Sequence, residues 1–124
     1  MSKRRTSRKL AMQMLYQADM RPNDVASIIQ NIKGNQTYIP DTRELAVNLT
    51  EGAWANRKES DSLITKYSKG WDISRINLVD KSLLRLAIYE IKHTETPETV
   101  VINEIIEMVL DMFEDVMKIG RAHV

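Results

Sequence analysis

Cysteine is absent from this 124-residue chain, which excludes disulfides and thiolate metal sites and fits a reducing compartment. Glycine occurs four times and proline three. No glycine-rich loop can be assembled from so few, so the common nucleotide-cradling fingerprints are missing. No apolar run approaches the roughly 20 residues that cross a bilayer. The basic start is followed by no apolar stretch with a small-residue cleavage site, so no secretory leader is read there. Period-2 runs of β-branched residues are missing too, which argues against a sheet. Acids are absent from the first eighteen positions; Asp19 is the first.

What stands in that acid-free segment is cationic. Lys3, Arg4, Arg5, Arg8 and Lys9 all precede Asp19, although the formal net charge of the chain is only +1. Removing these five from the eighteen cations leaves thirteen against seventeen acids, so the rest of the chain is net −4. A basic end on an acidic body attracts phosphates despite a bland total.

Apolar residues recur at helical spacing nearly everywhere. Leu10, Ala11, Met14, Leu15 and Ala18 form one stripe. Pro22-Asn23-Asp24 breaks it and opens a second helix with Val25, Ile28, Ile29 and Ile32, which Gly34 and Asn35 end. Pro40 and Asp41 open a third, with Asp41 and Glu44 spaced as a capping box. Gly52 on this helix permits close approach by a neighbour. Asn56 starts a fourth helix, and Trp71 is expected at the corner that follows Gly70. A turn at 74–76 leads into a helix over Leu78–His93. After Pro97 a last helix is expected over Val100–Lys118, with Ile102, Ile105, Ile106, Val109 and Phe113 inward. The pattern is an all-α bundle of six or seven helices within one domain.

A catalytic constellation is missing. His93 sits at a helix end, where its cation suits the dipole, and His123 lies at the C-terminus. Glu104, Glu107, Asp111, Glu114 and Asp115 are spaced to share a helix side. No Glu-x-x-His partner accompanies them, so they read as a solvated acidic face and not as a di-iron cage. The chain is read as no enzyme, with no metal and no cofactor.

The first helix carries a better candidate. On a helical wheel Arg5, Arg8, Lys9, Met12 and Tyr16 gather opposite the Leu10–Met14 stripe, with Gln13 at their edge. Arginine forks suit phosphate oxygens, a tyrosine ring can stack on an unpaired base, and glutamine both donates and accepts. That combination points to single-stranded RNA in preference to duplex DNA, for which no helix-turn-helix spacing is evident.

Several pieces along the chain then fall into a familiar order: Ala11-Met12-Gln13-Met14-Leu15-Tyr16, Arg43-Glu44-Leu45, Glu51-Gly52-Ala53-Trp54 and Tyr67-Ser68-Lys69-Gly70-Trp71. They continue with Val79-Asp80-Lys81-Ser82-Leu83-Leu84-Arg85-Leu86-Ala87-Ile88-Tyr89-Glu90, then Pro97 and Val100-Val101-Ile102-Asn103-Glu104. Over about residues 3 to 107 this order and spacing resembles the bacterial transcription antitermination factor family NusB. The resemblance implies two packed helical subdomains without catalysis. It also implies binding of the boxA element of nascent RNA in the cytoplasm, together with ribosomal protein NusE. RNA polymerase would be engaged indirectly, through the antitermination complex that promotes read-through in ribosomal RNA operons.

By position, the resemblance assigns Arg4, Arg5, Arg8 and Tyr16 to the RNA surface, with Tyr67 and Lys69 as additions; the charge and helical-wheel reading adds Lys3, Lys9 and Gln13. Asp80 is assigned to the NusE surface; Asn103 and Glu104 match a family signature and are read as fixing the local helix start and not as touching a ligand. A related alternative is the NusB-like N-terminal module of a ribosomal RNA cytosine methyltransferase, which a following catalytic domain would distinguish. Beyond Glu107 the motifs depart from the family, whose final helix is expected to be missing. Residues 1–118 are thus read as one RNA-binding domain. The closing Ile119-Gly120-Arg121-Ala122-His123-Val124 matches one reading frame of a common sequencing adapter and is read as a non-native tail.

Overall fold

The computed structural model describes residues 3–68 and 73–122, with the side chains of 113 and 115–122 left aside. Among the described residues there are six α-helices and no strand: α1 (Lys3–Met20), α2 (Val25–Lys33), α3 (Pro40–Ala55), α4 (Arg57–Tyr67), α5 (Leu78–His93) and α6 (Glu98–Ala122). Short 3₁₀ turns at Pro22–Asp24 and Ile73–Arg75 precede α2 and α5. The expected Trp71 corner, Lys69 and His123 lie outside the described residues.

Local chemistry explains the boundaries. Gly34 closes α2 through its backbone N–H to the Gln30 carbonyl. Asn77 caps α5, its side-chain oxygen accepting from the Val79 N–H at 2.8 Å. The capping box expected at Asp41 and Glu44 does not form. Ile39 is the N-cap and Pro40 fills the first turn, which moves Asp41 inside the helix, where it faces Lys3 at 3.5 Å. The last helix starts two residues earlier than expected, because the Pro97 carbonyl already accepts from the N–H groups of Val100 and Val101.

Helix α1 is the axis of the bundle and contributes to both apolar clusters. Ala11, Met12 and Leu15 pack with Leu49, Ala53, Leu83, Leu86 and Met108. Leu10, Met14 and Ala18 pack with Ile28 and Ala46. A helix surrounded in this way exposes only a narrow strip.

The inward face of α6 differs from the expected one. Val101 and Met108 are buried, with Ile105 and Met112 beside them. Ile102, Ile106 and Val109 stay 49, 51 and 44% exposed. Apolar residues run around more than half of α6, so periodicity alone left the register open. Phe113 lies among the side chains not described.

Gly52 does permit the close approach expected of it. A methyl group built there would overlap the Tyr89 ring at Cζ, Cε1 and the hydroxyl. Gly52→Ala should therefore lower stability by about 1–3 kcal/mol through overpacking, against a gain of about 1 kcal/mol in helix propensity. Denaturant melts of Gly52→Ala alone and combined with Tyr89→Leu check this. The double variant should recover part of the loss; an equal loss in both would contradict the close-packing account.

Candidate nucleic-acid interface

The five N-terminal cations do not share one environment. Lys3 and Arg4 project at the exposed start of α1, and Lys9 is half-buried one turn further on. Arg5 is also half-buried, its Nε donating to Glu104 Oε2 at 3.0 Å and its Nη2 to Glu104 Oε1 at 3.3 Å. Arg4 and Lys9 enter no ion pair among the described residues.

Arg8 is the correction. Its side chain is 4% exposed and donates in bidentate fashion to Glu90, Nε to Oε2 at 2.8 Å and Nη2 to Oε1 at 2.9 Å. The expectation of an exposed Arg8 fails because α5 covers that side of α1, and Met12 is buried for the same reason. Arg8 instead ties the first helix to the end of the fifth. No local pattern could reveal a partner 82 residues away.

The strip that remains in contact with solvent runs Arg5, Lys9, Gln13 and Tyr16, with Gln17 alongside. Gln13 is exposed and Tyr16 half-buried. Tyr16 borders a groove of about 340 Å³ between α1, Val79 of α5 and Met112 of α6. Tyr67 is 72% exposed, but at the end of α4, with Lys66 Nζ 5.3 Å from its ring. Helix α4 packs on α3 and α5, and Arg85 of α5 links Asp61 of α4 to Asp19 of α1. Asp80 is exposed in the first turn of α5, next to Val79 of the groove.

Glu104 of the acidic α6 face pairs with Arg5. The hydrogen bond from Arg5 holds the Glu104 carboxyl below its ordinary value of 4.5, against the opposing effect of burial, with attraction from Arg5 and Arg8 adding to the shift. Hydrogen bonds from His93 and Lys92 do the same to Glu59. No group of three or more potential metal ligands occurs among the described residues, and no described helix is long and apolar enough to cross a membrane.

These shifts fix the sign of an acid effect. A carboxyl with a lowered folded pKa stabilises the fold above its unfolded value, and the contribution vanishes as pH falls through the folded one. The melting temperature should therefore fall as the pH drops below 4.5, and Glu104→Gln should make that fall shallower. Superimposable acid limbs for the variant and the unaltered chain would contradict the assignment.

Comparison with known proteins agrees with this architecture. The profile of the NusB family matches residues 5–116, so the match continues past Glu107, further into the last helix than the motifs alone reach. The transcription antitermination protein NusB of Symbiobacterium thermophilum is 38% identical over 114 residues, covering 85% of this chain and 74% of the relative. A protein chain in a crystal structure described as a plectonemic RNA supercoil superposes with a TM-score of 0.79. It is 28% identical, and the match covers 90% of this chain and 83% of that one. The solution structure of NusB from Aquifex aeolicus gives a TM-score of 0.75 at 28% identity, covering 90% of this chain and 77% of that one.

Proposed function

This chain belongs to the NusB family of transcription antitermination proteins, which are not enzymes, and from that premise we propose that it binds the boxA element of nascent RNA along the exposed strip of α1. Ribosomal protein NusE is its protein partner in this reading, and the exposed Asp80 belongs to the surface that meets it. The complex acts on RNA polymerase indirectly and in the cytoplasm. Tyr67 and Lys69 extend the RNA surface beyond α1.

One observation carries the reading. Arg4 and Lys9 have no ion-pair partner among the described residues, and Lys9 lies one helical turn from Gln13 and two turns from Tyr16 along α1. Phosphate-binding cations therefore adjoin an amide and a stacking ring, the combination that single-stranded RNA requires. Arg5 contributes once RNA phosphates compete with Glu104 for its guanidinium.

Binding to boxA-like and scrambled single-stranded RNA across a salt series, with and without NusE, tests the proposal. Log affinity should fall with log salt by about 0.7 per neutralised phosphate. Arg4→Ala and Lys9→Ala should each reduce that slope by about the same increment while leaving the helical circular dichroism unchanged. An undiminished slope in the double variant would remove α1 from the RNA surface.

A further inference from the structure

Much of the positive charge at the start of α1 is already met by acids of the same chain. Lys3 faces Asp41 at 3.5 Å, Arg5 faces Glu104 at 3.0 Å and Arg8 faces Glu90 at 2.8 Å. We propose that the contact between Arg5 and Glu104 is autoinhibitory: the acidic side of α6 stands on α1 in the place of an RNA phosphate and lowers the affinity of the strip until RNA displaces it. The inference rests on the RNA-binding reading above.

Exposure singles out this pair among the three. Arg8 and Glu90 are buried, so an RNA phosphate cannot reach them. Lys3 and Asp41 lie in open solvent, where an ion pair contributes little. Arg5 and Glu104 fall between, with 32 and 23% of their side-chain surfaces exposed. That is dry enough for a firm contact and open enough for a competing oxygen to enter. The geometry fits as well. Arg5 Nε donates to one oxygen of Glu104 and Nη2 to the other, the same fork that arginine offers to phosphate. Glu104 must therefore leave before an RNA oxygen can take both nitrogens.

Helical spacing brings further negative charge to the same place. Glu107 and Asp111 follow Glu104 by three and seven residues within α6, which sets all three on one side of the helix. The hydrogen bond to Glu104 and its charge hold the Arg5 guanidinium above its ordinary pKa against desolvation, and Glu107 and Asp111 add to the attraction. RNA approaching α1 thus meets a field set by these acids as well as by Arg4 and Lys9. The acids repel its phosphates and occupy one of the arginines it would use.

Affinity for a boxA-like single-stranded RNA, measured on the full chain, tests the contact. Glu104→Gln should bind about two- to fivefold more tightly than the unaltered protein, and the gain should shrink at high salt. Glu107 is exposed, so Glu107→Gln keeps the fold even if Glu104→Gln does not, and it should give a smaller gain in the same direction. Glu51→Gln makes the same charge change at an exposed position of α3 and should leave affinity nearly unchanged. On an Arg5→Ala background Glu104→Gln should gain little, because the acid acts through that guanidinium. Equal gains at Glu104 and Glu51, or the same gain with and without Arg5, would overturn the autoinhibitory contact and leave RNA binding intact. So would unchanged or weaker binding by the folded α6 variants. No binding by the unaltered protein or by either α6 variant would overturn both readings.

Discussion

Replacing Arg8 with alanine should cost roughly 3–5 kcal/mol of stability, because it leaves a buried carboxylate without its partner. Glu90 is 3% exposed and both of its oxygens accept from Arg8, so water cannot take over the lost hydrogen bonds. A domain of this size has about 5–15 kcal/mol to lose, and the melting temperature should drop by ~10 °C or more. Glu90→Gln should also destabilise, since a neutral amide replaces the charged acceptor. The double replacement Arg8→Met with Glu90→Leu should recover much of the loss, because an apolar pair of similar volume is often neutral relative to a buried ion pair. Lys9→Ala, one position along, should change stability by no more than about 0.5 kcal/mol. Thermal melts of these four variants decide the matter, and equal effects at positions 8 and 9 would refute the division of labour within the basic segment.

The second large effect is expected at Arg85. Burial alone would push its guanidinium pKa down, but hydrogen bonds to Asp61 and Asp19 outweigh that and raise it. Its Nε and Nη2 donate to Asp61 at 2.9 and 2.8 Å, and its Nη1 donates to Asp19 at 3.1 Å. One side chain of α5 thereby ties α1 to α4, with Lys81 also reaching Asp19 at 3.4 Å. Arg85→Ala should cost roughly 3 kcal/mol, the lower end for a broken buried pair, because Asp61 keeps 30% of its side-chain surface in water. The loss should fall unevenly. Helix α4 buries only Ser60 and Ile64, so it depends on this tie more than α1 does. Hydrogen exchange should show α4 amides losing protection first; uniform loss across all helices would contradict this view.

How much of this was legible in the sequence depended on the range of the interaction involved. The all-helical class, the limits of α5 and the stripe of Leu10, Ala11, Met14, Leu15 and Ala18 follow from local periodicity, and the structure has them. The tolerance of Gly52 for a close neighbour was readable, but the identity of that neighbour, Tyr89, was not. Arg8 was misplaced because a helical wheel divides a helix into two sides, whereas α1 is covered on most of its circumference by four others. Arg85 went unnoticed because its acids come from two distant helices. The face of α6 was assigned about one residue out of register, since Ile102, Ile106 and Val109 repeat at the same spacing as the truly buried Val101 and Met108. Of the candidate site, Lys9, Gln13 and Tyr16 could be located because they lie on one side of one helix. The groove beside them is made by residues from three helices and has no local signature.

The account turns on the solvent-facing strip of α1 as the place where RNA is held. Two-dimensional NMR of the isotopically labelled protein, titrated with boxA-like single-stranded RNA, tests it most directly. The predicted result is that the largest shift changes fall on Lys9, Gln13, Gln17 and Tyr16, with Arg8 little affected. Changes centred on the exposed Ile102, Ile106 and Val109 face of α6, with the α1 strip silent, would contradict it.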